Sequence, residues 1–151
     1  MPSRVLKTIL LSAVAFAVSS PAARAADDGP MAAVQGLFDA GARDDEAAFQ
    51  RVVAPDFEAY DDGRIYPGAS LMTTIEGLHR AGVKIVWGLQ PPRLEVRGDL
   101  AFAHWINRGS VDLGEGQGPQ PMVWLESAAL ERMGGAWRIR FFQSDRQAAG
   151  R

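Results

Sequence analysis

Three stretches of the chain place apolar residues at helical spacing. Val34, Leu37, Phe38 and Ala42 lie along one stripe, with Pro30 in a first turn that Asp27 or Asp28 can cap. Asp44, Asp45 and Glu46 then put acids at a second helix start, ahead of Ala48, Phe49, Val52 and Val53, and Pro55 is expected to stop it. From Gly68 a third helix buries Leu71, Ile75 and Leu78 and ends near Gly82. Between the second and third, Asp61-Asp62-Gly63 is a turn signal joining short strands over 56–60 and 64–66.

After Gly82 the period drops to two. Val83, Ile85, Trp87 and Leu89 alternate with polar neighbours, Pro91-Pro92 breaks the ladder, and Leu94 and Val96 resume it. Gly98-Asp99 turns the chain into a long strand over 100–113, a glycine-rich loop follows over 114–119, and strands over 122–133 and 136–144 close on Gly134-Gly135. Three helices followed by a meander predict an α+β fold, with an antiparallel sheet covered by helices on one side.

The last hairpin can be registered from its two-residue turn. Met133 faces Ala136, Glu131 faces Arg138, Leu130 faces Ile139, Ala128 faces Phe141 and Glu126 faces Gln143. Trp137, Ile139 and Phe141 then share the helix-covered face, and Glu126 and Gln143 share it with them, beside Trp124. A carboxylate among such neighbours must be paired, hydrated or protonated. For the strand over 100–113 two parities stay open. One turns Ala101, Ala103, Trp105 and Asn107 inward, next to Glu126; the other turns Phe102, His104 and Ile106 inward. The first, which brings small residues, an aromatic and an amide beside Glu126, is the expected one.

Composition narrows the class. With 151 residues, 47% of them hydrophobic, the chain has room for one domain with a real core. Residues 1–25 have the order of an export signal: Arg4 and Lys7, an apolar run over 8–18 too short to span a bilayer, and Ala23-Arg24-Ala25 as a cleavage site. The domain is therefore expected over 26–151, in the periplasm or outside the cell, free of the membrane after processing. Loss of Arg4, Lys7 and Arg24 makes the formal charge of −2 three units more negative, which argues against nucleic acid as a partner. There is no cysteine, so disulfides, thiolate metal sites and a thiol nucleophile are excluded. His79 and His104 lack any metal-ligand spacing, and no serine sits in a nucleophile elbow. Neither a metal nor a cofactor is expected.

The order of elements resembles the nuclear transport factor 2-like superfamily, specifically its SnoaL-like and DUF4440-type bacterial members. The likeness is carried by FQRVVAPDF at 49–57, GDLA at 98–101 and ESAALERMGGAWRI at 126–139, and spans nearly all of 30–145. It implies a cone, in which a strongly bent sheet wraps three helices around an open-ended pocket. The ketosteroid isomerases of this superfamily use a first-helix tyrosine, a carboxylate base near the first hairpin and a protonated aspartate on a late strand. Residues 30–55 hold no tyrosine. Asp61 stands about where the base would be, and Glu126 is the acid nearest the late-strand position. The closing H-x-S of many DUF4440-like chains is replaced by Gln143-Ser144-Asp145.

Asp61 and Glu126 are accordingly the candidate catalytic groups, against the plainer readings of a turn aspartate bonding its own backbone and a bridged structural carboxylate. Tyr60, Trp87, Trp105, Asn107, Trp124 and Gln143 are the candidate ligand-binding residues, the aromatics serving as core and pocket wall together. The leading expectation is an exported domain that binds a small apolar or amphipathic molecule. The alternatives are a lyase or isomerase using a pocket carboxylate for proton transfer, and a homodimeric interaction module. In the register above, Leu125 and Phe142 face outward and offer the dimer surface.

Overall fold

The helices form where the apolar stripes place them. In a computed structural model of the chain, which describes residues 29–147, α1 (Pro30–Arg43) begins on its proline after Gly29 and ends on Asp44, in the left-handed region at φ 54°. The expected leader at 1–25 and the capping role of Asp27 or Asp28 lie outside the described residues. The face of α1 turned to the sheet carries Ala33, Val34, Leu37, Phe38, Ala40 and Gly41, and Ala42 is exposed. Asp45 caps α2 (Glu46–Val52) by accepting the Ala48 N–H at 2.8 Å. Pro55 does not end that helix. Val53 already starts β1 (Val53–Asp61), and Pro55 lies inside the strand. It is tolerated because the pairing of β1 slips between Val53 and Glu58, so the missing N–H interrupts no regular ladder.

A two-residue turn joins β1 to β2 (Arg64–Pro67), with Asp62 at φ 46° and Gly63 at φ 77°. Both values belong to the primed hairpin turn that Asp-Gly favours. Next, α3 (Ser70–Arg80) buries Leu71 and Met72. The meander is β3 (Lys84–Val86), β4 (Arg93–Arg97), β5 (Leu100–Asp112), β6 (Gln120–Met133) and β7 (Ala136–Arg146). The sheet runs β2-β1-β7-β6-β5-β3, with β4 also on β5. It is mixed rather than wholly antiparallel, because β1 lies parallel to β7. Hairpin connections impose antiparallel pairing only on strands adjacent in sequence; β1 and β7 are joined through α3 and the rest of the meander.

The final hairpin keeps the predicted register from Met133↔Ala136 to Leu130↔Ile139, then slips. Beyond the slip Ala129 faces Phe141, Ala128 faces Phe142 and Glu126 faces Ser144. Arg140 is the extra residue of a bulge, held outside by Asp56 and by Glu131, the latter at 2.6 Å. One extra residue inverts the parity of everything after it. Trp137 and Ile139 face the helices before the bulge, Phe142 and Ser144 after it, while Phe141 and Gln143 turn outward. The expected inward Phe141 and Gln143, and outward Phe142, are thereby reversed. On β5 the first parity holds: Ala101, Ala103, Trp105 and Asn107 are buried.

Candidate functional site

One row of side chains crosses four strands on the inner face. Trp105 of β5 stands opposite Glu126 of β6, Glu126 opposite Ser144 of β7, and Ser144 beside Asp61 of β1. Glu126 is only 4% exposed. Its Oε2 accepts the Trp105 indole N–H at 2.6 Å and the Asn107 amide at 3.0 Å, and its Oε1 accepts the Ser144 hydroxyl at 3.3 Å. The Asn107 oxygen accepts the Gly88 N–H at 2.8 Å, which orients its NH2 toward Glu126.

Charge on this carboxylate is contested. Burial pushes its pKa up to about 7, against the lowering effect of the Asn107, Trp105 and Ser144 hydrogen bonds, while the nearby Asp61 charge adds to the rise. Asp61 is raised too, first by burial and then by Asp62, with Ser144 and Arg146 opposing. With Oε2 already receiving two N–H groups, a proton on Glu126 belongs on Oε1. From there it can reach the Ser144 oxygen, which neighbours Asp61 across the β1–β7 pair. A row of this kind can hold one proton between two acids or shift it from one to the other.

The row forms the polar end of a cavity of about 260 Å³, near the small end of ligand-site volumes. Apolar side chains make most of the remaining wall, among them Leu37 and Phe38 from α1, Leu71, Met72 and Ile75 from α3, and Trp87, Trp124 and Phe142 from the sheet side, with Asp62, Thr74 and Arg146 also bordering it. Phe38 organises the aromatics, meeting Trp87, Trp105 and Phe142 edge-on at centroid distances of 5.7, 6.3 and 5.9 Å.

Of the residues expected at the site, Asp61, Glu126, Trp87 and Trp124 line this cavity. Asp61 does so as the last residue of β1, sharing the inward parity of Phe57 and Ala59, because Asp62 and Gly63 make the turn. Trp105 and Asn107 stand behind Glu126 and orient it. Tyr60 and Gln143 are not on the wall. Strand alternation turns Tyr60 outward against Phe141, at 5.1 Å, and the bulge turns Gln143 into a groove on the outer face with His104, Ile106 and Leu125. Sequence reasoning missed Ser144, Phe38 and Phe142 as site residues. The helical stripe could have indicated Phe38; Ser144 and Phe142 depend on the bulge. His79 is bonded to Asp44 at 2.7 Å, and no group of three His, Asp or Glu among the described residues is placed to hold a metal ion.

Neither a family model nor a curated protein matches the chain. Solved structures do. The chain is similar to a ketosteroid isomerase-like protein from Erwinia carotovora atroseptica, with TM-score 0.65 and 17% identity over 80% of this chain and 95% of that one. It is similar to a nuclear transport factor 2-like protein of unknown function from Pseudomonas putida, with TM-score 0.61 and 21% identity over 76% and 82%. A third likeness is to the CaMKII hub of S. rosetta, with TM-score 0.65 and 16% identity over 80% and 98%. The chain thus has the nuclear transport factor 2-like α+β fold: three helices held in a strongly curled mixed sheet. Neighbours sharing that fold carry different functions, so activity must be argued from the site.

Proposed function

We propose that this chain is an exported binding domain for a small amphipathic molecule, held in the cone between α1, α3 and the inner sheet face. One observation carries the reading: an apolar cavity runs to a buried, ionisable carboxylate, Glu126, that the fold orients with three neutral donors. Sites of this construction take the apolar part of a ligand on the walls and fix its orientation at the few polar groups. Self-association through the outer sheet face belongs to the same proposal, since Leu100, Phe102, Ile106 and Leu125 are exposed there.

A second reading is favoured by the Asp61–Ser144–Glu126 row itself. Two acids coupled through a hydroxyl suit proton transfer on a carbonyl compound, as in an isomerase or lyase. One set of measurements addresses both. Amphipathic compounds screened by tryptophan fluorescence and thermal shift should include binders, and Ile75→Trp, which fills the cavity, should abolish their effect while the domain stays folded. Bound carbonyl compounds are then followed by NMR in D2O. Catalysis predicts exchange at the carbon next to the carbonyl that falls ~100-fold or more in Asp61→Asn or Glu126→Gln. Binding without such exchange supports the first reading. If no compound binds, or Ile75→Trp binds as well as the parent, the pocket has no part in function.

A further inference from the structure

The polar end of the cavity is short of positive charge. Asp61 and Glu126 stand on one row with Ser144 between them, and every group donating to Glu126 is neutral: an indole, an amide and a hydroxyl. Arg146 is the one cation on this cavity wall, and Asp62 holds it at 3.1 Å. These four are the titratable groups facing the cavity among the described residues.

The two oxygens of Glu126 are unequally used. Both N–H donors converge on Oε2, from Trp105 and Asn107, which lie behind the wall. Among the described residues Oε1 has a single partner, at 3.3 Å, on the Ser144 side, where the cavity is. A carboxylate can accept about four hydrogen bonds. An almost fully buried acceptor with unused capacity therefore borders a ready-made apolar space.

We infer that the cavity takes a small amphipathic amine, with its ammonium between Glu126 Oε1 and Asp61 and its apolar body against Phe38, Trp87, Trp124 and Phe142. The inference rests on the pocket reading above and supplies the ligand class it leaves open. An ammonium brings the missing charge and up to three donors, and Trp87 and Trp124 on the wall offer aromatic rings, which attract cations. A carboxylate ligand would add a further negative charge beside two acids. A neutral ligand would leave the pair to be balanced by a proton and by Arg146, which Asp62 already holds. Proton and ammonium compete for the same charge, so amine binding strengthens as pH rises through neutrality; burial, which raises both acids, sets that window.

The test uses the processed full-length protein and three probes with one body: 3-phenylpropylamine, 3-phenylpropanol and 3-phenylpropanoate. Affinities are measured by calorimetry, with tryptophan fluorescence as a check. At about pH 8 the amine should bind at least ~10-fold tighter than the alcohol and the carboxylate weakest, the preference narrowing toward about pH 5.5. Glu126→Gln and Asp61→Asn should each bring amine and alcohol to within about threefold of one another. Circular dichroism reports whether each variant folds; should one fail, the other variant and the wild-type ranking decide. Equal or tighter binding of the alcohol overturns the amine inference and leaves the pocket standing. Preference for the amine in both variants overturns it as well. Binding of none of the probes overturns it together with the pocket reading.

Discussion

Glu126 couples the fold to pH through a single proton. Its pKa rises from the ordinary 4.5 to about 7 in the folded chain, so between those values the native state holds a proton that the unfolded chain has released. Native proton uptake of this sign makes stability fall as pH rises through that window, then level off above about 7. At ~1.36 kcal/mol per pKa unit the change amounts to about 3 kcal/mol. Asp61 is displaced in the same direction, again chiefly by burial. Gln at position 126 can accept from Trp105 and Asn107 and donate to Ser144 without carrying charge. Glu126→Gln should therefore flatten the pH dependence and stabilise the protein at alkaline pH by roughly 1–3 kcal/mol. Urea denaturation of both proteins at acidic and alkaline pH measures this, and identical slopes with pH would contradict it.

Two local geometries of the sheet decide what the site contains. The first is the bulge at Arg140. The inward placement of Glu126 was legible because parity along β6 counts back from the Gly134-Gly135 turn, and the extra residue lies on β7. For that same reason Ser144 and Phe142 were not legible. The bulge is anchored by Asp56, 84 residues away, and nothing local in the sequence marks it. The second is the close approach of β5 to the end of β3, its antiparallel neighbour. A Cβ at Gly109 would overlap the Val86 carbonyl oxygen, which is backbone and cannot swing aside. Next to that contact the Gly88 N–H reaches Asn107, so it positions Trp87 and the amide behind Glu126 together. Gly109→Ala should cost about 2 kcal/mol or more, since overpacking against a backbone atom forces strand movement. It should also weaken ligand binding. Thermal denaturation checks the first effect, and an unchanged melting temperature would mean that the two strands part there without cost.

On the scale of the molecule the sheet has an enclosed face and an open one. The inner face encloses the cavity with the helices, and the outer one leaves Phe102 50%, Leu125 47% and Ile106 39% exposed. Contiguous apolar surface of this kind on a small domain is commonly covered by a partner. The chain is expected to form a homodimer through it, with the exposed Leu125 contributing and Phe142, which is buried inside, contributing nothing. Light scattering after gel filtration should give a dimer mass in the micromolar range, and Phe102→Glu with Leu125→Glu should give a monomer. A wild-type monomer at all these concentrations would rule the face out as a self-association surface.

By itself the sequence determined the three helices, the hairpin turns, the change from helical to strand period and the inward Glu126. Each depends on residues within a few positions of one another, where side-chain spacing and turn conformation act directly. Tertiary structure alone decided that β1 runs parallel to β7, that Arg140 bulges, and that Asp61 and Ser144 complete the row begun by Trp105 and Glu126. Those outcomes come from pairings between the two ends of the domain, whose register is set by packing in three dimensions and leaves no periodic trace in either segment.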